Sequence, residues 1–150
     1  MTMLRIDSVA NILERELDFT VKEWLRRVNL VPELTQTPLS DDDRTGHLPK
    51  LLTDLISRLR LGEKEKPPIS EAAAAHGKMR YKQHYTPCML VEESRVFQVS
   101  TFSTLQRCQI ELDQSQVLLD VMTIADEADA QLKETMRSLL EERQSIVAAA

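Results

Sequence analysis

A chain of 150 residues with 42% hydrophobic and 29% charged side chains holds enough apolar material for one domain with a real core, which excludes wholesale disorder. Its net charge of −5 argues against general nucleic-acid binding, because that needs a cationic surface to meet phosphates. Only Gly46, Gly62 and Gly77 are glycines, aromatics are few, and Leu, Ala, Glu, Arg and Gln dominate, so an all-α fold is expected, a single helical bundle.

From the N-terminus, Met1 to Asp7 has no signal-peptide layout, because an acid interrupts it at once. Ile6, Val9, Ala10, Leu13 and Leu17 recur at helical spacing, and Val21, Trp24, Leu25 and Val28 continue the stripe. Asp18 divides this stretch into two helices by capping the second, or one helix runs from residue 6 to about residue 30; the pattern fits both. Pro32 stops it either way, since proline cannot donate the next backbone bond.

After a loop over 35–40, Ser40-Asp41-Asp42-Asp43 reads as a helix start, with an acceptor for orphan N–H groups and acids at the positive end of the dipole. Calcium-loop spacing is absent from this acidic run. Leu48, Leu51, Leu52, Leu55, Ile56 and Leu59 form one apolar face, with Pro49 in the first turn and Gly62 at the end. A charged surface loop over 63–68 follows. Ser70 caps a helix to about Tyr85, in which Ala72 to Ala75 favour close packing against a neighbour. Thr86-Pro87 restarts the chain as cap and first helical residue, opening a long helix from Cys88 to Leu112.

Asp113 or Ser115 opens the last helix, which shows no internal stop. Between Val117 and Ala128 apolar residues cover most of its circumference, as in a helix packed on its own domain. Beyond that the pattern thins. Positions 118, 122, 125, 129, 132, 136, 139, 143 and 146 step four-three throughout, the roughly 3.5-residue seam of a coiled coil. Leu118, Met122, Ala125, Leu132, Met136, Leu139 and Ile146 are the apolar members, and Asp129 and Arg143 interrupt them. The division expected is a bundle over 1–128 and, over 129–150, a coiled-coil-like arm that dimerises. A long amphipathic helix lying along its own domain is the competing arrangement. The terminal Ala148-Ala149-Ala150 looks cut rather than finished.

Catalytic signatures are missing. No His-Glu-x-x-His, glycine-rich phosphate loop or Gly-x-Ser-x-Gly turn occurs, and no enzymatic role is expected. Cys88 and Cys108 lack Cys-x-x-Cys spacing and read as two buried thiols in a reducing cytoplasm, without metal. No apolar run reaches the about twenty residues that span a bilayer.

The most suggestive polar group is His76, Arg80 and His84, spaced by four along one side of a helix. It suits an anion or an acidic partner, and histidine would lend it pH sensitivity. Its plain alternative is a partly solvated face with Arg80 paired to a carboxylate at the core edge. Haem would need a histidine among large apolar side chains; phenylalanine is scarce and His76 sits between alanine and glycine, so no cofactor is expected.

Several stretches in this order carry a resemblance: Trp24-Leu-Arg-Arg-Val28, Leu39-Ser-Asp-Asp-Asp-Arg44, His47-Leu-Pro-Lys-Leu-Leu-Thr-Asp-Leu55, Ala75-His-Gly-Lys-Met-Arg80 and Leu90-Val-Glu-Glu-Ser-Arg-Val96. Together they resemble the N-terminal sensor domain of RsbR-type stressosome co-antagonists (the RsbRD type), a domain also found ahead of bacterial histidine kinases. The resemblance implies a globin-like helical bundle without required haem, a homodimer, and a signal passed through the last helix to an output domain or partner. His76 and Arg80 would match the family's histidine–arginine pattern, and Glu92 to Arg95 its acidic–basic stretch. Neither a kinase phospho-acceptor box nor an antagonist domain is present, so kinase activity would belong to residues beyond Ala150. A free-standing adaptor and a haem or small-ligand sensor are the other readings.

Overall fold

The structure is a computed structural model that describes residues 5–62 and 64–149. The signal-peptide reading of the first residues therefore falls partly outside the described residues, as do the linker position Glu63 and the terminal Ala150. Among the described residues the fold is all-α, with only an isolated bridge between Asp7 and Leu112 in place of any strand.

The first stripe is two helices, α1 (Val9–Arg15) and α2 (Leu17–Val28), with the break at Glu16 rather than Asp18. Ser8 caps α1 by accepting from the Asn11 N–H. The Thr20 hydroxyl bonds the Glu16 carbonyl at 3.0 Å and meets the Thr104 hydroxyl at 2.7 Å, which fixes the corner against the centre of the bundle. Pro32 ends α2's run but also starts a further turn, α3 (Pro32–Thr35), because its ring suits the first helical position.

Ser40 accepts from the Asp43 N–H and opens α4 (Asp41–Thr45), with the three acids in its first turn as the spacing predicts. Gly46, at φ +50°, turns the chain into α5 (Leu48–Leu59), which carries Pro49 in its first turn. Ser70 caps α6 (Glu71–Lys82), accepting from Ala73 N–H at 3.1 Å while its hydroxyl donates to Asp54 at 2.6 Å. Loss of both bonds in Ser70→Ala should cost about 1–2 kcal/mol in urea unfolding, against near-neutrality for an exposed serine.

Thr86 caps α7 (Pro87–Arg107), which ends earlier than its apolar pattern suggests; the chain tightens into a 3-10 turn over Gln109–Glu111. Of the two cysteines expected to be buried, Cys108 is buried and Cys88 is exposed.

The last helix, α8 (Val117–Ala149), reverses the expected division of labour. Leu118 and Met122 are 70% and 62% exposed, whereas Ile124, Ala128, Gln131, Thr135, Ser138 and Leu139 are buried. The bundle therefore holds α8 well past Ala128, and only from residue 143 onward is every described position exposed. The division at residue 128 is not where packing ends. The physical reason lies in α6, whose Ala72 to Ala75 and Gly77 lay it close along α8, so that threonine and serine, not leucine, face it.

Candidate functional site

The site is built where α6, α7 and the end of α4 meet. A spacing of four on α6 sends His76 and Arg80 towards Glu93 on α7. His76 Nε2 lies 3.1 Å from Glu93 Oε1, and Arg80 forks onto the same carboxylate, with Nε 3.1 Å from Oε1 and Nη2 2.7 Å from Oε2. All three side chains are buried, and Arg80 is 0% exposed. Arg80 Nη1 also donates to the Asp43 carbonyl at 3.0 Å and to Gln83 Oε1 at 2.7 Å, and Nη2 donates to the Arg44 carbonyl. These bonds use all five guanidinium donors. The two carbonyls belong to the C-terminal turn of α4, the end of a helix that favours a cation.

Arg44 extends the arrangement outward. It is buried, and donates to the Leu34 carbonyl at 3.1 Å and the Thr37 carbonyl at 2.7 Å, tying down the loop before α4. On the other side, the His47 ring meets the His76 ring edge-on, with centroids 5.6 Å apart. Tyr85 places its ring 4.6 Å from the Arg80 guanidinium carbon. A chain of polar contacts thus runs from the α3–α4 loop through Arg44, Arg80 and Glu93 to His76 and His47.

Burial pushes the Glu93 carboxyl up, but the hydrogen bond and charge of His76 together with Arg80 outweigh it and hold the group below the ordinary carboxylate range. The His47 imidazole is lowered by desolvation first, then by His76, Lys50 and Arg80. Burial, reinforced by the Glu93 charge, pushes the Tyr85 phenol up to about 12, so it stays neutral.

Beside the cluster lies a cavity of about 40 Å³ at the junction of six helices. Trp24 of α2, Leu48 of α5, His76 of α6, Leu90 and Phe97 of α7 and Ala128 of α8 all line it, with Glu93 at the polar side. Buried Trp24 Nε1 and His76 Nδ1 have no hydrogen-bond partner among the described residues.

His76, Arg80 and His84 do not form one surface patch. His84 lies past the end of α6, exposed, with φ +66°. His76 and Arg80 face inward, and Arg80 has no donor left for an incoming anion. The carboxylate partner foreseen for Arg80 is Glu93, deep in the bundle rather than at its edge. Glu93 was legible on the pattern: it stands three residues after Leu90 and four before Phe97, on the apolar face of α7, where a charge demands a partner.

The seam residues also divide. Leu118, Met122 and Ile146 are exposed, Ala125, Leu132 and Met136 are half-buried, and Leu139 is 1% exposed. A four-three series on a straight helix drifts by about 20° per heptad. Three heptads therefore rotate the series by about 60° between Leu118, in solvent, and Leu139, in the core.

Among the described residues no group of three or more histidine, cysteine or acidic side chains gathers as a metal site. Compared with known proteins, the chain matches no family model, no curated protein and no solved structure.

Proposed function

We propose that the chain is a non-catalytic sensory module of a bacterial signal-transduction protein, of the histidine-kinase or stressosome type, and that it acts in the cytoplasm as a homodimer. Input changes the packing of the bundle, and α8 carries the change to an output domain or partner. The observation that carries this reading is the placement of α8. Its middle is clamped to α6, while its first turns offer exposed Leu118, Leu119 and Met122 and its last turns leave the bundle. A helix held in this way moves as one body when its clamp shifts, provided two packings lie within a few kcal/mol. Among the described residues no helix is long and apolar enough to cross a membrane.

The dimer face is tested at the start of the helix, since Leu139 belongs to the core and its replacement would unfold rather than dissociate. Leu118→Ser with Met122→Ser should convert a dimer to a monomer in sedimentation, with helical circular dichroism unchanged and stability altered by about 0.5 kcal/mol or less per site. A dimer that survives both substitutions removes this face from the assembly. A wild-type monomer would favour the free-standing adaptor, which would use the same apolar turns to hold a different protein.

A further inference from the structure

Between α5 and the chain over 67–72 runs an open groove to which α8 contributes a single lining residue, Glu127. Glu127 is 6% exposed, yet among the described residues no cation is paired with it. Its Oε2 accepts from the Gln131 amide at 3.0 Å, and the same nitrogen donates to the Leu51 carbonyl at 3.0 Å, which ties Glu127 to the backbone of α5. Arg58 of α5 lines the same groove but turns elsewhere. Its Nη2 donates to Asp126 at 3.1 Å, and its Nε is buried without a partner among the described residues. The Asp126 side chain is 72% exposed. The cation thus sits on the carboxylate that water already solvates, and the buried one goes without.

That placement suits a protonated Glu127. An ionised carboxylate out of water and without a cation is costly, and a proton removes the cost. The surrounding charges leave this unchanged. Asp54 of α5, which accepts from Ser70, and Asp126 of α8 add negative charge, and Glu71 of α6 is a further acid in the groove. Lys50 and His47, at the start of α5, line the groove but make no hydrogen bond to Glu127 among the described residues. Burial raises the Glu127 carboxyl above its ordinary value of 4.5; the Gln131 bond and Arg58 push against it, and Asp54 and Asp126 add to it. We propose that Glu127 is a proton-operated latch between α5 and α8: protonated, it leaves Arg58 on Asp126, and ionised, it draws the guanidinium inward from Asp126. Asp126 loses little when Arg58 leaves, because an exposed ion pair is weak. Only the use of this latch as a signal rests on the sensory reading above; the latch itself does not.

Two resonances test the latch on the whole chain: the Glu127 side-chain carboxyl carbon and the Arg58 Nε–H group. The carboxyl should titrate with a midpoint above 4.5, and the Arg58 peak should move with the same midpoint. Glu127→Gln still accepts from Gln131 but cannot ionise, so the Arg58 step at that midpoint should vanish and leave only the one that follows Asp126. Asp126→Asn frees Arg58 and removes a neighbouring charge, and should lower the proton affinity of Glu127 roughly threefold or more. Arg58→Gln should raise it by a similar factor. If a variant does not fold, the coincidence of the two wild-type titrations still decides. A Glu127 midpoint at or below 4.5, or an Arg58 peak that ignores the Glu127 titration, would overturn the latch. Coincident titrations that leave the α8 amides from residue 143 onward unmoved would uphold the latch and remove its use as a signal.

Discussion

Replacing Gly77 with alanine should destabilise the bundle by about 3 kcal/mol or more, although alanine is the better helix former by about 1 kcal/mol. The reason is the approach of α8. A Cβ at Gly77 would overlap the Thr135 carbonyl oxygen and stand 2.9 Å from Ser138 Cβ and 3.1 Å from the Leu139 backbone nitrogen. Backbone on the far side cannot rotate away, so the whole helix must shift. That shift would stretch two bonds that bind the pair: Thr135 Oγ1 to the Ala73 carbonyl at 3.0 Å and Ser138 Oγ to the Ala74 carbonyl at 2.6 Å. For a chain of this size the loss corresponds to a fall in Tm of about 6–12 °C. Gly62→Ala is the matched control: its nearest neighbour is the Glu65 carboxyl carbon at 4.0 Å, and it should be neutral or stabilising by up to about 1 kcal/mol. Equal stabilities for the two variants in urea unfolding would refute the tight α6–α8 contact. If α8 carries the signal, Gly77→Ala should also change the output of a longer protein before it unfolds the domain.

What the residues disclosed in order along the chain, and what they hid, follows from the range of the forces involved. Ser40, Ser70 and Thr86 cap their helices where the sequence places them, because a cap is settled within three residues. The break at Glu16 was undecidable from the stripe alone: it depends on Thr20 meeting Thr104, 84 residues away. The four-three series on α8 was equally local and equally real, yet it does not tell which of its members pack on the bundle and which face solvent. Periodicity records which residues share a face but not which neighbour covers it. The face that meets α6 is written in Thr135 and Ser138, residues that pass for surface until the alanines and Gly77 opposite them are known. In the same way, the spacing of His76 and Arg80 was readable on one helix, while their convergence on Glu93 required the pairing of two.

Removing the Glu93 charge should cost about 3–5 kcal/mol, because Arg80 would then be buried with only carbonyl and amide partners for a full positive charge. Glu93→Ala and Arg80→Ala should each approach this figure. The double replacement Glu93→Leu with Arg80→Met should cost less than the sum of the two, since it leaves no orphan charge. The cluster also predicts a particular response to acid. Glu93 is held below its ordinary value of 4.5, so the stability it contributes is fully present above that pH and is lost as pH falls through its lowered folded value. His47 is lowered from 6.5, chiefly by desolvation, so its contribution is present above pH 6.5 and declines as pH falls from there towards its folded value. Glu127 works in the opposite sense: burial raises it above 4.5, so stability rises as pH falls through its folded value. Half-buried Asp7 and exposed Asp113 are lowered as well, so the total acid response is not that of the cluster alone. Differences between variants isolate the terms. Urea midpoints measured from pH 8 downward should separate the two losses, with His47→Gln removing the earlier one and Glu93→Gln the later. An unchanged acid limb in Glu93→Gln would mean that the carboxylate is not ionised in the fold. The fork of Arg80 onto it would then be a contact between a cation and a neutral acid. Such a cluster would join α6 to α7 by hydrogen bonds from Arg80 alone to a neutral acid, without the charge pair.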